Sequence, residues 1–393
     1  MSYITREARE PRRPRQKPGR EQPRLAAVVL AAGEGTRMRS QLPKPLHRLC
    51  GRPMVMWVLD ALSGLDLSRV VVVVGHGSTR MAKELAEARS PVVPIEVVEQ
   101  PVQRGTGDAL SVGLTAFSED EGDLEDVIVL PGDTPLLRPG TLAELVKVHR
   151  RADVAATLLT ARLDDPKGYG RVVRSRDGRV AGIIEEVDAT EEERAVNEVG
   201  TSIYVFRRSV LAPALRRLSP DNAQGEYYLT DVVAVLHDAG YPATSMVIAD
   251  PTEASGVNDR SQLAAAEAVL RRRINERWMR AGVNMLDPAH TYLDSTVVLA
   301  PDVTLYPGTI LQGSTRVATG AEVGPNTHLL NCSVGARARV RATSAEQVTI
   351  GEDATVGPWA RLEPGTVVAP GSVVRPIPAA INPEGEGPGG TLL

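Results

Sequence analysis

Between Leu299 and Val374 an aliphatic side chain returns every six residues: Leu299, Leu305, Leu311, Val317, Val323 and Leu329, then, after one short step, Val334 and Val340. An interruption at TSAEQ (343–347) follows, and the beat resumes with Ile350, Val356, Leu362, Val368 and Val374. Glycine, proline, asparagine and aspartate crowd the positions between. A helix repeats every 3.6 residues and a strand every 2, so neither fits this period. A triangular solenoid does, with one short strand per side and one aliphatic residue pointing inward from each. Such a segment can bury its apolar residues only by stacking coil on coil, and about four coils are expected.

Upstream the texture differs. The runs LAAVVL, RVVVVVG, IEVVEQ, DVIVLPGD and DVAATLLT have the β-branched content of buried strands, while MVMWVLDAL and TLAELVKVHR have helical spacing. Strand–helix alternation of this kind predicts an α/β, Rossmann-like, mainly parallel sheet with helices on both faces. Ligands of such sheets sit at the carboxyl ends of the strands. Residues 258–281 read as one long helix with Gly282 as its stop. The expected organisation is a basic tail over 1–24, the α/β domain over 25–257, a linker helix over 258–290, the solenoid over 291–378 and a loose end over 379–393.

Composition excludes several classes. With a formal net charge of −4 there is no global basic field to hold a nucleic acid. Residues 1–24 carry eight basic side chains among four prolines. They have no apolar core behind the charges, so they read as a solvated tail in preference to a secretory signal or a nucleic-acid or lipid contact. No apolar run reaches the ~18 residues of a membrane helix. The two cysteines, Cys50 and Cys332, lie far apart and give no disulfide framework, which points to a reducing, cytoplasmic compartment.

The stretch LAAGEGTRMRSQLPKPL (30–46) joins a glycine turn to Arg37, Arg39 and Lys44 directly after the first strand. A dinucleotide fingerprint would need glycine where Met38 stands, and the spacing of a P-loop is absent. A nucleoside triphosphate laid across the turn remains, beside the plainer reading of an exposed basic loop. Gly33 and Gly35 let the main chain approach phosphates and present its N–H groups. Arg37 and Lys44 would neutralise a polyanion of about four charges, and Pro43 and Pro45 limit the wander of Lys44.

LAAGEGTRM with LPKPL resembles the signature of the sugar-1-phosphate nucleotidyltransferases. VVVVGH (71–76), RGTGDAL (104–110), PGDTPLL (131–137), LDDPKGYGRVV (163–173), NAQGEYYLTD (222–231) and GVNDR (256–260) narrow the likeness. Together with the six-residue repeat, similar to the hexapeptide-repeat left-handed β-helix, they resemble the bacterial N-acetylglucosamine-1-phosphate uridyltransferases over roughly residues 25–375. That resemblance implies UTP and a sugar 1-phosphate as substrates, Mg²⁺ as cofactor, pyrophosphate as leaving group and a homotrimeric assembly.

By the same resemblance Arg37 and Lys44 clamp the triphosphate and the transition state, and Leu30, Ala31, Ala32 and Gly33 border the nucleotide. Gln100, Gly105 and Thr106 correspond to uracil contacts. Pro131, Gly132, Asp133, Gly170, Glu185 and Gly200 correspond to the sugar side, and Asp133 and Asn258 to the metal ligands. Each has a plainer alternative. Asp133 could make an Asx turn before Pro135, Asn258 could cap the long helix, and Glu185 could be a surface carboxylate at a strand end. His76 reads as structural.

Two departures from the family pattern stand out. Where the family carries Asn at the sugar's N-acetyl region, NEVGTSI (197–203) has Gly200. In WARLEPG (359–365), Glu363 replaces an arginine that bifunctional relatives use on the phosphate of an acetyl acceptor. The coils that carry the general-base histidine and the CoA surface in those relatives have no counterpart here, so no acetyltransferase activity is expected. Three functions compete: uridylyl transfer to N-acetylglucosamine 1-phosphate, the same chemistry on another hexose 1-phosphate, and a non-catalytic trimeric regulatory homologue.

Overall fold

All five apolar runs are strands in the computed structural model, which describes residues 24–75, 79–87, 95–117 and 124–375. The segments 1–23 and 376–393, and with them most of both tails, lie outside the described residues, as does His76. In chain order the strands of the first region are β1 (Arg24–Ala31), the hairpin β2 (Arg48–Leu49) and β3 (Arg52–Pro53), β4 (Leu67–Val74), β5 (Ile95–Glu99), β6 (Leu124–Pro131), β7 (Ala156–Arg162), β8 (Arg171–Arg174), β9 (Val180–Ile184), β10 (Glu198–Arg207) and β11 (Ala243–Val247). Apart from the β2–β3 hairpin they form one sheet ordered β11-β7-β10-β6-β1-β4-β5, with β8 and β9 attached at β10. Strand β10 is antiparallel to β6 and β7, and β1, β4, β5 and β6 pair in parallel.

The valine run of β4 shows why such strands are apolar throughout. Val70 and Val72 join one core, with Val55 and Leu59 of α1 (Met54–Ala61). Val71 and Val73 join the opposite core, with Leu110. The helices are α2 (Thr79–Glu87), α3 (Thr106–Leu114), α4 (Pro139–Ala152), α5 (Glu191–Arg194), α6 (Arg208–Leu215) and α7 (Asp231–Asp238). Helix α4 supplies Leu142 and Leu145 to the α1 side, while α3, α6 and α7 cover the other. Both faces of the sheet are therefore buried, which period-2 alternation with a polar face could not satisfy.

Helix α8 (Arg260–Arg280) begins at Asp259, whose carboxylate accepts from the backbone N–H groups of Ser261 and Gln262 at 2.9 Å each. Asp259 is thus the cap, not Asn258. Ala266, Leu270 and Ile274 of α8 pack into the same core as Met285, Leu293 and Leu299. Asn275, fully buried, donates to the carbonyls of Pro288 and Thr291 at 2.8 and 2.9 Å and seals the junction.

Beyond α8 the chain winds as a left-handed parallel β-helix. Among the described residues its three flat sheets have six, five and five strands, all paired in parallel, which make five coils and one further rung. The first rung, Asn284–Met285, precedes the six-residue frame that starts at Leu299, which is why fewer coils were expected. Leu305, Leu311, Val323, Leu329, Val340 and Val356 are fully buried. The interruption at TSAEQ is no break: Ala345 takes the inward position at 5% exposure, and five-residue steps on either side keep the frame.

The β2–β3 hairpin wedges between α8 and the first coil. Cys50 N–H donates to Glu267 at 2.7 Å, and the Cys50 carbonyl accepts from Ser295 at 2.9 Å. A Cβ on Gly51 would stand 2.4 Å from the Asp294 carboxyl carbon, so only glycine fits there.

Candidate functional site

The glycine loop leaves β1 at the carboxyl edge of the sheet and turns at Gly35, whose φ of 62° is left-handed. A Cβ on Gly35 would lie 2.7 Å from Lys44 Cβ, whereas at Gly33 it would meet nothing within 4 Å. The loop therefore folds directly against the stem of Lys44. Pro43, Lys44 and Pro45 form a single tight turn closed by Leu46 N–H to the Pro43 carbonyl at 2.9 Å. Its ammonium group points inward with the side chain only 12% exposed.

Three distant stretches meet at that ammonium. Lys44 Nζ donates to Asp133 Oδ2 and, at 2.8 Å, to Asn258 Oδ1. Arg37 Nη2 donates to the same Asn258 oxygen at 2.9 Å. Asp133 follows β6, and its carbonyl accepts from Val257 N–H at 2.9 Å, which anchors GVNDR beside PGD. Gly256 lies beside that carboxylate, where a Cβ would be 3.7 Å from Asp133 Oδ1, an ordinary contact. Neither plainer alternative holds. The turn before Pro135 is tied by Thr134 Oγ1 to the Pro131 carbonyl at 3.1 Å, and the helix cap is Asp259.

The backbone beside β1 is already spoken for in part. Gly132 N–H donates to the Leu30 carbonyl at 2.8 Å, and Gln103 Nε2 donates to the Ala32 carbonyl. A Cβ on Gly132 would come within 3.0 Å of Ala31 Cβ, so PGD and LAAG run closely side by side. Gln100 is buried at the end of β5, where its side-chain amide donates to Asp108 at 2.7 Å. Gly105, at φ 107°, caps α3 under the backbone of Tyr227, whose nitrogen and oxygen would stand 2.9 and 2.7 Å from a Cβ. Thr106 Oγ1 accepts from Leu229 N–H at 3.0 Å. The NAQGEYYLTD segment thus clamps the RGTGDAL turn by its main chain.

Gly170, Glu185 and Gly200 come together further along the same edge. Gly200 N–H donates to the Gly170 carbonyl at 2.9 Å, and a Cβ on Gly170 would be 3.4 Å from Glu185 Oε2. Glu185 is no surface carboxylate: it accepts from Thr230 Oγ1 at 3.0 Å, and burial raises its pKa above the usual range. Burial, and then Asp188, likewise raise Asp231. The Tyr228 hydroxyl is pushed up to about 12 by burial and by Asp188. A Cβ on Gly200 would lie 3.1 Å from Ile183 Cδ1, so an isoleucine methyl occupies the direction in which a side chain at 200 would project. Tyr169 lies within the field of Asp133, its pKa raised by burial and then by that carboxylate.

Four contributors escaped the sequence reading. Gln262 Oε1 accepts from Asn258 N–H at 2.6 Å, and Arg260 Nε donates to the Met38 carbonyl at 3.2 Å. Gln103 and the Tyr227 backbone are the other two. Arg260 lies inside the quoted GVNDR motif, yet nothing in its spacing signals a bond to a loop more than two hundred residues earlier.

A model of the MobA-like NTP transferase domain matches residues 27–239. The chain belongs to the MobA-like NTP transferase family. It is a nucleotidyltransferase of the type found in the bifunctional GlmU proteins. The GlmU protein of Desulfitobacterium hafniense is 46% identical over 325 residues, covering 83% of this chain and 69% of the relative. Those of Thermobifida fusca and Corynebacterium aurimucosum are also 46% identical, covering 82% and 81% of this chain and 66% and 65% of their own lengths. The chain thus spans about two thirds of the curated relatives it matches. Among the described residues, no helix is long and apolar enough to cross a membrane, and no group of three or more His, Cys, Asp and Glu residues could hold a metal ion.

Proposed function

We propose that this nucleotidyltransferase joins UTP to N-acetylglucosamine 1-phosphate, giving UDP-N-acetylglucosamine and pyrophosphate in the cytoplasm. The observation that carries this reading is the meeting of Arg37, Lys44, Asp133 and Asn258 at the open edge of the sheet. A phosphate oxygen of the sugar 1-phosphate attacks the α-phosphorus in line; the bond to the bridging oxygen breaks, and pyrophosphate leaves with that electron pair. Such transfers depend on positioning and charge neutralisation more than on covalent help from the protein.

Arg37 and Lys44 bear on the triphosphate and on the charge that develops as pyrophosphate departs. Asp133 and Asn258 fit a shared divalent cation, because their oxygens already converge on one ammonium group. A Mg²⁺ ion held by these two side chains would supply positive charge to offset that of the phosphates. With one carboxylate and one amide as its protein ligands, the seat needs phosphate to complete it. Gln100, Gly105 and Thr106 line the nucleotide's base, and the backbone from Leu30 to Gly33 borders the phosphates and ribose. Pro131 and Gly132 lead into the sugar side, where Gly170 and Glu185 face the hydroxyls. A homotrimer built on the flat solenoid sides is the assembly we infer.

A second reading, transfer to another hexose 1-phosphate, is favoured by Gly200. Its N–H is committed to Gly170, and Ile183 fills the place of a side chain, so nothing at 200 selects an N-acetyl group. Lost hydrogen bonds at a sugar pocket cost about 1–3 kcal/mol of discrimination. Acetyl transfer is not part of the proposal. Glu363, with its side chain 76% exposed, presents a carboxylate where a phosphate would need a cation.

A coupled pyrophosphate-release assay tests all of this. It pairs UTP, dTTP, ATP and GTP with a panel of sugar 1-phosphates, with and without Mg²⁺. UTP with N-acetylglucosamine 1-phosphate should turn over fastest and require Mg²⁺. Turnover with no pair at all would leave the non-catalytic homologue standing. Gly200→Asn should shift preference toward the N-acetylated sugar, and unchanged selectivity would remove the second reading. Release of free CoA from acetyl-CoA and glucosamine 1-phosphate would contradict the absence of acetyl transfer.

A further inference from the structure

We propose that Lys44 is an internal stand-in for the divalent cation. In the nucleotide-free protein its ammonium fills the seat between Asp133 and Asn258, and a metal ion is admitted only with a triphosphate that draws Lys44 and Arg37 away. The inference rests on the proposed assignment of Asp133 and Asn258 to the metal.

An amide oxygen has two lone pairs. Both of those on Asn258 Oδ1 are taken, by Lys44 Nζ at 2.8 Å and Arg37 Nη2 at 2.9 Å. Asp133 Oδ2 is held by the same ammonium. Mg²⁺ binds oxygen at about 2.0–2.1 Å and demands near-octahedral order. An ion touching both oxygens would occupy the space of Nζ, and two like charges in that space repel strongly. No third acidic or imidazole ligand is available among the described residues to outweigh Lys44. Metal alone therefore competes with a cation already in place, at a site with little carboxylate to offer.

A triphosphate changes the balance. Its charge of about four and its many acceptor oxygens outbid one carboxylate and one amide for Lys44 and Arg37. Lysine's flexible four-carbon stem lets the ammonium swing without moving the turn fixed by Pro43 and Pro45. Asp133 and Asn258 are then uncovered just when phosphate oxygens arrive to complete a metal shell. Metal and nucleotide affinities are coupled through one side chain.

The test measures Mn²⁺ binding to the nucleotide-free, full-length protein by the loss of the free-ion electron paramagnetic resonance signal. Wild type should bind Mn²⁺ weakly, and Lys44→Met should bind it about tenfold more tightly or better, because the competing charge is gone. Adding Arg37→Met should tighten binding further by freeing the second lone pair of Asn258. Asp133→Asn on the Lys44→Met background should abolish the gain, which ties it to this seat. Equal Mn²⁺ affinity in wild type and Lys44→Met overturns the proposal. Should Lys44→Met fail to fold, by its circular dichroism and melting curve, Lys44→Gln carries the same expectation and the same refutation. The reaction itself is judged separately: absent pyrophosphate release with every substrate pair would sink the proposed function and leave the Mn²⁺ result intact.

Discussion

The start of α8 and its body meet opposite kinds of surroundings. Its body lies on the β-helix, where Ala266, Leu270 and Ile274 join a column of aliphatic side chains contributed alike by every coil. Its beginning lies at the edge of the sheet, where Asn258 shares Lys44 with Asp133 and Arg260 reaches Met38. The column is redundant, because each rung repeats the contacts of the rung below. The edge is not, since its polar groups come from three separate stretches and none has a substitute. Redundant apolar contacts make stability that degrades by degrees, whereas unique polar contacts make chemistry that fails outright.

The sharpest way to break that contrast is at the edge. Arg37→Ala or Lys44→Ala should lower kcat/KM for pyrophosphate release by about 10²–10³, with the melting temperature nearly unchanged. A mild kinetic effect in both would remove the distinction. In the column, Leu305→Ala should cost about 2–5 kcal/mol of stability in urea unfolding, while kcat at a temperature below the transition stays close to wild type. A loss of kcat matching the Lys44 variant would mean that the column governs the chemistry.

Gly35→Ala probes the boundary between the two behaviours. It places a Cβ 2.7 Å from Lys44 Cβ at a left-handed φ, which costs about 1–2 kcal/mol. Displacement of Lys44 should also lower kcat/KM about tenfold, so stability and rate should fall together. Wild-type kinetics in that variant would show that Lys44 tolerates a shifted stem.

Glu185 offers a smaller, pH-dependent effect. Its pKa is raised in the folded protein by burial, so the native state holds the proton to higher pH than the unfolded chain does. Its penalty is absent below the unfolded value and grows as pH rises through the folded one. Glu185→Gln should therefore stabilise the protein near pH 7 and lose that advantage toward about pH 4, as followed by melting temperature. A constant difference across that range would mean that burial of the charge is not the cause. The smallest effect belongs to the solenoid surface, where Arg337 pairs with Glu352 and Asp353 at 56% side-chain exposure. Arg337→Ala should leave the urea-unfolding midpoint close to that of wild type, because an exposed ion pair is screened by solvent; a clear loss would give the surface pair a weight that the redundancy of the column denies it.

Much of the molecule was legible before any coordinates. The six-residue frame placed its inward residues correctly from Leu299 to Val368, because in a solenoid the period and the packing are one fact. It misread TSAEQ, since alanine carries no aliphatic signal although Ala345 fills the inward seat. The alternation of valine runs and amphipathic segments likewise gave the sheet. Motif order brought forward Arg37, Lys44, Asp133 and Asn258, all of which the structure gathers at one point. The cap offered as the alternative role of Asn258 belongs to its neighbour Asp259, as adjacent Asn and Asp have equal claims until a carboxylate is seen against two amide N–H groups.

What the sequence determined by itself is therefore what short-range periodicity and turn chemistry can specify: a repeat that must coil, strands that must be covered, and a glycine loop built to lie against something charged. Tertiary structure alone decided which groups share an atom. That Lys44 and Arg37 compete for one oxygen of Asn258, that Ile183 stands where a side chain at 200 would project, and that the Tyr227 backbone closes over Gly105 all depend on chain segments brought together across large sequence separations. Such meetings follow from the packing of whole elements, and no local pattern encodes them.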